Sequence, residues 1–203
     1  MPNASETAQP RIASGRRTPV VTMSLSAVTI AMVFLSTFLF QFPIFSTNGY
    51  FNFGDIMIFT FAFTFGPVIG GISGAVGSSL SDALSGFGIF APFTFIIKGL
   101  EGLLAGLISQ RQFRGRVLVG WAVGSVVMVA GYFLAESFFI ALVFGSSEFT
   151  GIAAALGEVW FNILQVAAGG LVGIALSLAL KRLLKQTPYY YKLIETATSE
   201  KKI

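Results

Sequence analysis

Long apolar stretches separated by short polar segments run through this chain from about residue 19 to residue 184. A transmembrane helix needs about 20 consecutive, mainly apolar residues. Four stretches meet this requirement clearly, at roughly 19–41, 90–109, 116–144 and 157–181. A further stretch, 51–84, forms either one long tilted helix or two short ones, because Gly66-Pro67 lies in its middle and proline disfavours helix in the residue before it. The apolar pattern therefore predicts five or six membrane-spanning helices.

The positions of the basic residues decide between these two counts. Of the 13 Lys and Arg residues, three precede Val20, three lie between 111 and 116, six lie from Lys181 onward, and Lys98 is inside a predicted span. Basic residues are enriched on the cytoplasmic side of membrane proteins. Six spans place the other twelve on that side and leave the outer loops, near 42–50, 83–90 and 145–156, without any Lys or Arg.

The predicted fold class is therefore an all-α membrane protein, a six-transmembrane-helix bundle with cytoplasmic N- and C-termini. The predicted organisation is a disordered cytoplasmic tail at 1–18, a six-helix domain at 19–184 and a cytoplasmic C-terminal tail at 185–203.

Composition agrees with a location in the cell membrane and excludes several kinds of function. Of 203 residues, 54% are hydrophobic and only 11% are charged, whereas a soluble domain carries about 25% charged residues. The net charge of +4 reflects the topology, so we predict no nucleic-acid partner. The chain has no Cys and no His, which excludes thiol chemistry, His-centred metal sites and His-based triads. It also lacks a phosphate-binding loop, so we predict no catalytic residue, metal or cofactor, and any ATP hydrolysis must come from partners.

Ionisable residues within the predicted spans are the strongest candidates for function. Each costs about 2.5–3.5 kcal/mol at the centre of a membrane helix. Six stand out: Asp55, Asp82, Lys98, Glu101, Glu136 and Glu158. The topology places most of them in the outer half of the bundle. Glu158, Asn162 and Gln165 share one helix face, and Tyr132 and Glu136 share another. This pattern predicts a polar pocket that opens to the outside and is closed below by apolar packing.

Several of these residues have a structural interpretation as well. Lys98 and Glu101, spaced i, i+3, either bind a ligand or neutralise one another. Asp55 either belongs to the pocket or caps the N-terminus of a helix. Asp82 and Glu158 either contribute to the pocket or lie at headgroup level without a specific role.

Four segments of this sequence resemble a known family of membrane proteins. They are Phe51-Asn-Phe-Gly-Asp-Ile-Met-Ile-Phe59, Phe65-Gly-Pro-Val-Ile-Gly-Gly71, Gly77-Ser-Ser-Leu-Ser-Asp-Ala83 and Ala91-Pro-Phe-Thr-Phe-Ile-Ile-Lys-Gly-Leu-Glu-Gly102. In this order they resemble the substrate-binding S components of energy-coupling factor (ECF) vitamin transporters, in particular the riboflavin-transporter-like branch.

The resemblance implies a protein that captures a vitamin or vitamin precursor, riboflavin or a similar small heterocycle, from outside the cell. Its partners would be a membrane coupling subunit and two ATPase subunits, which drive uptake. Small residues at Ala27 and Ala31 would face the coupling subunit, although their spacing alone fits packing inside the bundle equally well. The substrate-binding residues implied by the family and by the polar pattern are Asn48, Asn52, Asp55, Asp82, Phe93, Lys98, Tyr132, Glu136, Trp160, Asn162 and Gln165.

Two other functions are compatible with the residues themselves. One is a solitary proton-coupled carrier of a small metabolite, in which Glu101 or Glu136 relays protons. The other is a membrane assembly protein that transports nothing.

Overall fold

The computed structural model of the protein describes residues 19–44, 49–143 and 148–187, and it leaves the side chains of 139–143 and 148–150 undescribed. Within these ranges the chain forms six helices and one short hairpin. The helices are α1 Pro19–Leu39, α2 Gly54–Phe65, α3 Pro67–Leu84, α4 Ala91–Ser109, α5 Arg116–Val143 and α6 Glu148–Leu184. Strands β1 Phe42–Pro43 and β2 Tyr50–Phe51 pair antiparallel between α1 and α2, with Phe42 opposite Phe51.

The ambiguous stretch 51–84 forms two helices that break at Gly66. The backbone of Gly66 has φ of 95°, a left-handed conformation that glycine adopts without steric cost. Pro67 follows in the first turn of α3. A backbone N–H at this position has no hydrogen-bond partner within the helix, so the absence of an N–H in proline costs nothing there. The Gly-Pro pair therefore both ends α2 and begins α3.

Among the described residues, four helices are long and apolar enough to cross a membrane: α1, α4, α5 and most of α6. The apolar α2 is shorter, at 12 residues. The protein is therefore a helical, multi-pass membrane protein.

The start of α6 differs from the sequence prediction. We expected an outer loop at 145–156 and a helix from 157, but α6 already begins at Glu148. Alanine has the highest helix propensity of any residue type, and this segment contains Ala153, Ala154 and Ala155. Ala155 is also fully buried. The extra turns are thus stabilised both by helix propensity and by packing. They extend α6 toward the end of the bundle that the charge pattern predicts to be the outer end.

Close helix contacts depend on glycine. α3 packs against α1, α2 and α4. A Cβ atom added at Gly70 would lie 2.6 Å from the Cβ of Ala62 in α2 and 2.9 Å from the carbonyl oxygen of Gly102 in α4. Small residues let membrane helices approach to backbone contact, and this close approach holds α3 between α2 and α4.

The outward face of α1 carries the small residues that the sequence analysis singled out. Ala27 and Ala31 are exposed, whereas Thr29, Val33 and Thr37 on the opposite face are buried. The interpretation that Ala27 and Ala31 pack inside this chain's own bundle is therefore wrong.

The variant Gly70→Ala tests the close packing of α3. The added methyl group has no space between Ala62 and Gly102, so we expect a loss of roughly 1–3 kcal/mol in stability. The measurement is the thermal unfolding midpoint of the purified protein in detergent. Gly88→Ala is the matched control, because a Cβ there would meet its nearest atoms at 3.8 and 3.9 Å and should change little. Equal midpoints for the two variants would contradict the packing argument.

Candidate functional site

A cavity lies at the end of the bundle where α3 ends and α4 begins. Its volume is about 530 Å3, including the part that is open to solvent. Six of the residues predicted to bind substrate line it: Asn52, Asp82, Tyr132, Glu136, Asn162 and Gln165. The structure therefore brings together residues from α3, α5, α6 and the segment before α2 in one pocket.

Helical periodicity explains why α5 and α6 contribute as they do. Glu158, Asn162 and Gln165 lie on one face of α6, and all three line the cavity. Tyr132 and Glu136 lie one turn apart on α5 and also line it. The predicted shared faces are confirmed as cavity-lining faces.

Four predicted binding residues do not line the cavity. Trp160 is 70% exposed, because it lies two residues from both Glu158 and Asn162 and so points away from their face of α6. Phe93 lines an apolar groove between α4 and α5, while its neighbour Thr94 lines the cavity. Asp55 and Lys98 lie beneath the cavity. A fifth predicted residue, Asn48, lies outside the described residues.

Asp55, Lys98 and Glu101 form a buried ion cluster between α2 and α4. The ammonium group of Lys98 pairs with the carboxylate of Asp55, and its Nζ lies 3.1 Å from Oε2 of Glu101. All three side chains are almost completely withdrawn from solvent. The Nζ atom also lies 5.6 Å from the centre of the Tyr132 ring, directly behind the cavity wall. Lys98 is thus held by two carboxylates, as the structural interpretation of the Lys98–Glu101 spacing expects.

Asp55 does not cap α2. The side-chain oxygen of Asn52 accepts a hydrogen bond of 2.8 Å from the backbone N–H of Gly54 instead. The capping interpretation of Asp55 is therefore wrong, and its carboxylate is available to Lys98 and Gln165.

Gln165 joins the cavity to the ion cluster below it. Its Nε2 donates to Oδ2 of Asp55 at 3.1 Å, and its Oε1 accepts from the backbone N–H of Asn52 at 3.0 Å. The expectation that apolar packing closes the pocket from below is therefore incomplete. A charged cluster lies first, and the apolar core that includes Phe59, Phe63 and Ala105 follows.

The hairpin and the loop before α4 supply cavity residues that the sequence analysis missed. They are Gly49, Tyr50, Phe87 and Phe90. The hydroxyl of Tyr50 donates to the carboxylate of Asp82, and its ring lies 4.8 Å from that of Phe87. Burial, and then the neighbouring charge of Asp82, raise the pKa of Tyr50, so its phenol stays a neutral donor. The presence of aromatic residues in both predicted outer loops was the available signal.

The helices add Thr94 and Met128 to the residues missed. Glu158, which the sequence assigned either to the pocket or to the headgroup level, lines the cavity. The hydroxyl of Tyr132 donates to Oγ1 of Thr94 at 3.0 Å. Glu158 lies against Glu136, and their carboxyl groups are within hydrogen-bonding reach of one another. No Lys or Arg is among the cavity-lining residues in the described part of the chain. The pocket is therefore acidic and rich in hydrogen-bonding groups, with aromatic rings at its mouth.

The variant Lys98→Met tests whether Lys98 is structural. It leaves Asp55 and Glu101 buried without a counter-charge, which typically costs about 3–5 kcal/mol. We expect a large fall in the thermal unfolding midpoint, and a partial recovery when Asp55→Asn and Glu101→Gln are added. Lys185→Met, at an exposed position after α6, is the control and should leave the midpoint unchanged. An unchanged midpoint with lost ligand binding would instead assign Lys98 to recognition.

Comparisons with known proteins agree with this architecture. The sequence model of the family described as the ECF-type riboflavin transporter, S component, matches residues 17–182. An uncharacterized protein in the gap 3′ region of Pyrococcus woesei is 39% identical over 151 residues, which cover 74% of this chain and 95% of the relative. The thiamine precursor transporter HmpT of Lactococcus lactis subsp. cremoris is 30% identical over 161 residues, covering 79% of this chain and 87% of the relative.

A solved structure has the same fold. It is that of the S component of a bacterial ECF transporter, with a TM-score of 0.66 and 24% sequence identity, and it covers 80% of this chain and 96% of its own. This family consists of transporter components and not of enzymes, and membership implies a small vitamin-type ligand and contact with the subunits of an ECF module. The resemblance seen in the sequence is confirmed: the chain belongs to the family of ECF-type S components and is the substrate-specific, multi-pass membrane subunit of such a transporter.

Proposed function

We propose that this S component captures a vitamin or vitamin precursor from outside the cell, in the cavity between α3, α4, α5 and α6. A membrane coupling subunit and two ATPase subunits then drive its uptake. The observation that carries the proposal is the cavity itself. It brings polar side chains from α3, α5 and α6 together with aromatic rings at one end of the bundle. A concave site with aromatic lining and a few convergent polar groups is typical of small-molecule sites.

The proposed orientation has six spans and both termini in the cytoplasm. Arg111 and Arg114 are exposed before α5, Arg116 is exposed at its first residue, and Arg182 is exposed near the end of α6. Tyr132 and Glu136 lie 16 and 20 residues after Arg116 on α5, or about 24–30 Å further along at 1.5 Å per residue. The basic residues and the cavity thus lie at opposite ends of the helix. The positive-inside rule then supports a cavity that opens to the outside.

The proposed substrate is a small, flat heterocycle of the vitamin class. The family description names riboflavin, and one relative is named for a thiamine precursor. Both contain flat rings, and the aromatic side chains of Tyr50, Phe87 and Tyr132 that line the cavity are groups on which a flat ring can stack. The amides of Asn162 and Gln165 supply hydrogen bonds that can orient it.

Identification of the ligand tests the capture function directly. The protein is purified in mild detergent, the bound small molecules are extracted, and they are identified by mass spectrometry. We expect one vitamin or precursor at close to one molecule per chain. If nothing co-purifies and a panel of vitamins produces no thermal shift, the result contradicts the capture function and favours the alternative of a membrane assembly protein. Uptake that survives loss of the ATPases and collapses with an uncoupler would instead indicate a proton-coupled carrier.

The exposed face of α1 is proposed to dock on the coupling subunit through Ala27 and Ala31. Ala27→Trp or Ala31→Trp fills the space that a close helix contact needs. We expect vitamin uptake by cells to be abolished while the affinity of the purified S component for its ligand stays unchanged, because both positions lie outside the cavity.

The control for this experiment is Leu171→Trp, which places the same side chain on α6 at a position that is 73% exposed. It should leave both uptake and affinity unchanged. Normal uptake in the two α1 variants would contradict the docking role, and loss of uptake in Leu171→Trp would show that the assay reports general damage.

A further inference from the structure

Helix α1 contributes no lining residue to the cavity in the described part of the chain, yet it is hydrogen-bonded to the cavity wall. The Oγ atom of Ser36 donates to the backbone carbonyl oxygen of Phe53 at 2.9 Å. Phe53 belongs to the short segment between β2 and α2, and Asn52, the residue before it, lines the cavity. Ser36 therefore lies one hydrogen bond and one peptide unit away from a residue that faces the ligand space.

The hydrogen bond of Ser36 differs from those of the other hydroxyl groups in α1. A serine or threonine inside a helix commonly donates to a carbonyl of the preceding turn. Thr29 and Thr37 do so, to the carbonyl oxygens of Leu25 and Val33. Ser36 instead donates to a different element, so its bond fixes the position of that element relative to α1.

The segment that accepts this bond is held from two other sides. The backbone N–H of Asn52 donates to Oε1 of Gln165 on α6 at 3.0 Å. The Oδ1 atom of Asn52 accepts from the backbone N–H of Gly54 at 2.8 Å, at the start of α2. Three helices, α1, α2 and α6, thus fix the backbone at 52–54, and the bond to α1 is the one whose donor lies outside the cavity.

A second tether joins the chain just after α1 to another part of the wall. The Nε2 atom of Gln41 donates to the Oγ atoms of Ser81 and Ser85, at 3.1 Å each. These two serines lie one turn apart at the end of α3, and Asp82, which follows Ser81, lines the cavity. A single amide group therefore holds the last turn of α3 at two points.

We propose that Ser36 and Gln41 are positioning residues for ligand binding, although neither lines the cavity. Ser36 places Asn52, and Gln41 places Asp82. This inference rests on the proposed capture function and adds ligand affinity to the roles of α1. Hydrogen bonds weaken steeply when their geometry departs from linearity, so a displaced wall residue binds a ligand poorly. A wall that is fixed before the ligand arrives also loses less free energy to ordering on binding.

The variants Ser36→Ala and Gln41→Met remove the tethers and change the side-chain volumes little. Affinity is measured by calorimetry on the full-length protein in detergent. The probe is riboflavin or, if riboflavin does not bind, the vitamin or precursor identified by co-purification. We expect each variant to bind the probe about three- to tenfold more weakly, the effect of one hydrogen bond. Ser36→Thr keeps the hydroxyl group and should retain the affinity of the unaltered protein.

Three controls separate positioning from general damage. Ser24→Ala makes the same change at an exposed position of α1, and Gln186→Met makes the second change at an exposed position after α6. Both should leave affinity unchanged. Gly70→Ala lowers stability at a residue that does not line the cavity, so its unfolding midpoint should fall while its affinity stays the same. If Ser36 were only structural, Ser36→Ala would behave in the same way as Gly70→Ala.

A double-mutant cycle tests whether Ser36 acts through Asn52. In the Asn52→Ala background the side chain to be positioned is absent, so adding Ser36→Ala should change affinity by less than about twofold. Residues that act independently would multiply their effects. Hydrogen exchange at the backbone N–H of Asn52 needs no ligand. It should be faster in Ser36→Ala, because the segment opens more often.

The outcomes separate this inference from the function on which it rests. Unchanged affinity in both Ser36→Ala and Gln41→Met would overturn the inference and leave vitamin capture intact. Multiplied effects in the cycle would overturn the role of Asn52 as the residue that Ser36 places. If no vitamin binds the unaltered protein and none co-purifies, the capture function and this inference fail together.

Discussion

The structure depends on one lysine that is buried between two carboxylates. Lys98 of α4 pairs with Asp55 of α2 and with Glu101 one turn further along α4. Withdrawing such charges from water is expensive, and only a well-placed counter-charge offsets the cost. The Asp55 carboxylate must therefore remain opposite Lys98, and this requirement aligns α2 with α4. Gln165 of α6 bonds to the second oxygen of the same carboxylate, so three helices meet at Asp55.

Helix packing complements this polar anchor. Lipid chains are as apolar as the helix surfaces, so helices in a membrane gain little from hydrophobic burial and depend on close packing and polar contacts. In this chain the two contributions are divided. The glycines of α3 bring that helix to the backbones of α2 and α4, while the ion cluster holds α2 against α4. The cavity lies above both and is lined by α3, α4, α5, α6 and the chain before α2, so part of its frame is fixed by interactions that lie below it.

The sequence predicted the features that depend on polar residues or on glycine and proline. Gly66-Pro67 correctly indicated the break between α2 and α3, and the spacing of Glu158, Asn162 and Gln165 identified the cavity face of α6. Apolar residues carried less information. In a membrane helix both faces are apolar, and with 22 Phe residues in the chain their positions do not distinguish the cavity from the lipid.

This explains why Phe93 and Trp160 were predicted at the cavity and lie elsewhere. It also explains why Tyr50 was missed. Its position depends on the pairing of β1 with β2 across a loop, and a two-residue ladder leaves almost no pattern in the sequence. The early start of α6 was missed because three alanines between two glycines, Gly151 and Gly157, resemble a loop when only the length of the apolar run is considered.

The shortness of α2 sets the environment in which a ligand is recognised. Its 12 residues span about 18 Å, well below the hydrocarbon thickness of about 30 Å. Asp55, near its start, meets Lys98, which lies seven residues, or about 10 Å, below the first residue of α4. The chain before α2, including Asn52, therefore occupies space inside the bundle that a full-length helix would fill. A ligand that reaches Asn162 and Gln165 has shed its hydration shell, and each of its polar groups must find a partner in the wall or remain unsatisfied. Such a site distinguishes between ligands mainly because a buried polar group without a partner lowers the binding affinity. The affinity gained from a matched polar group is the smaller effect.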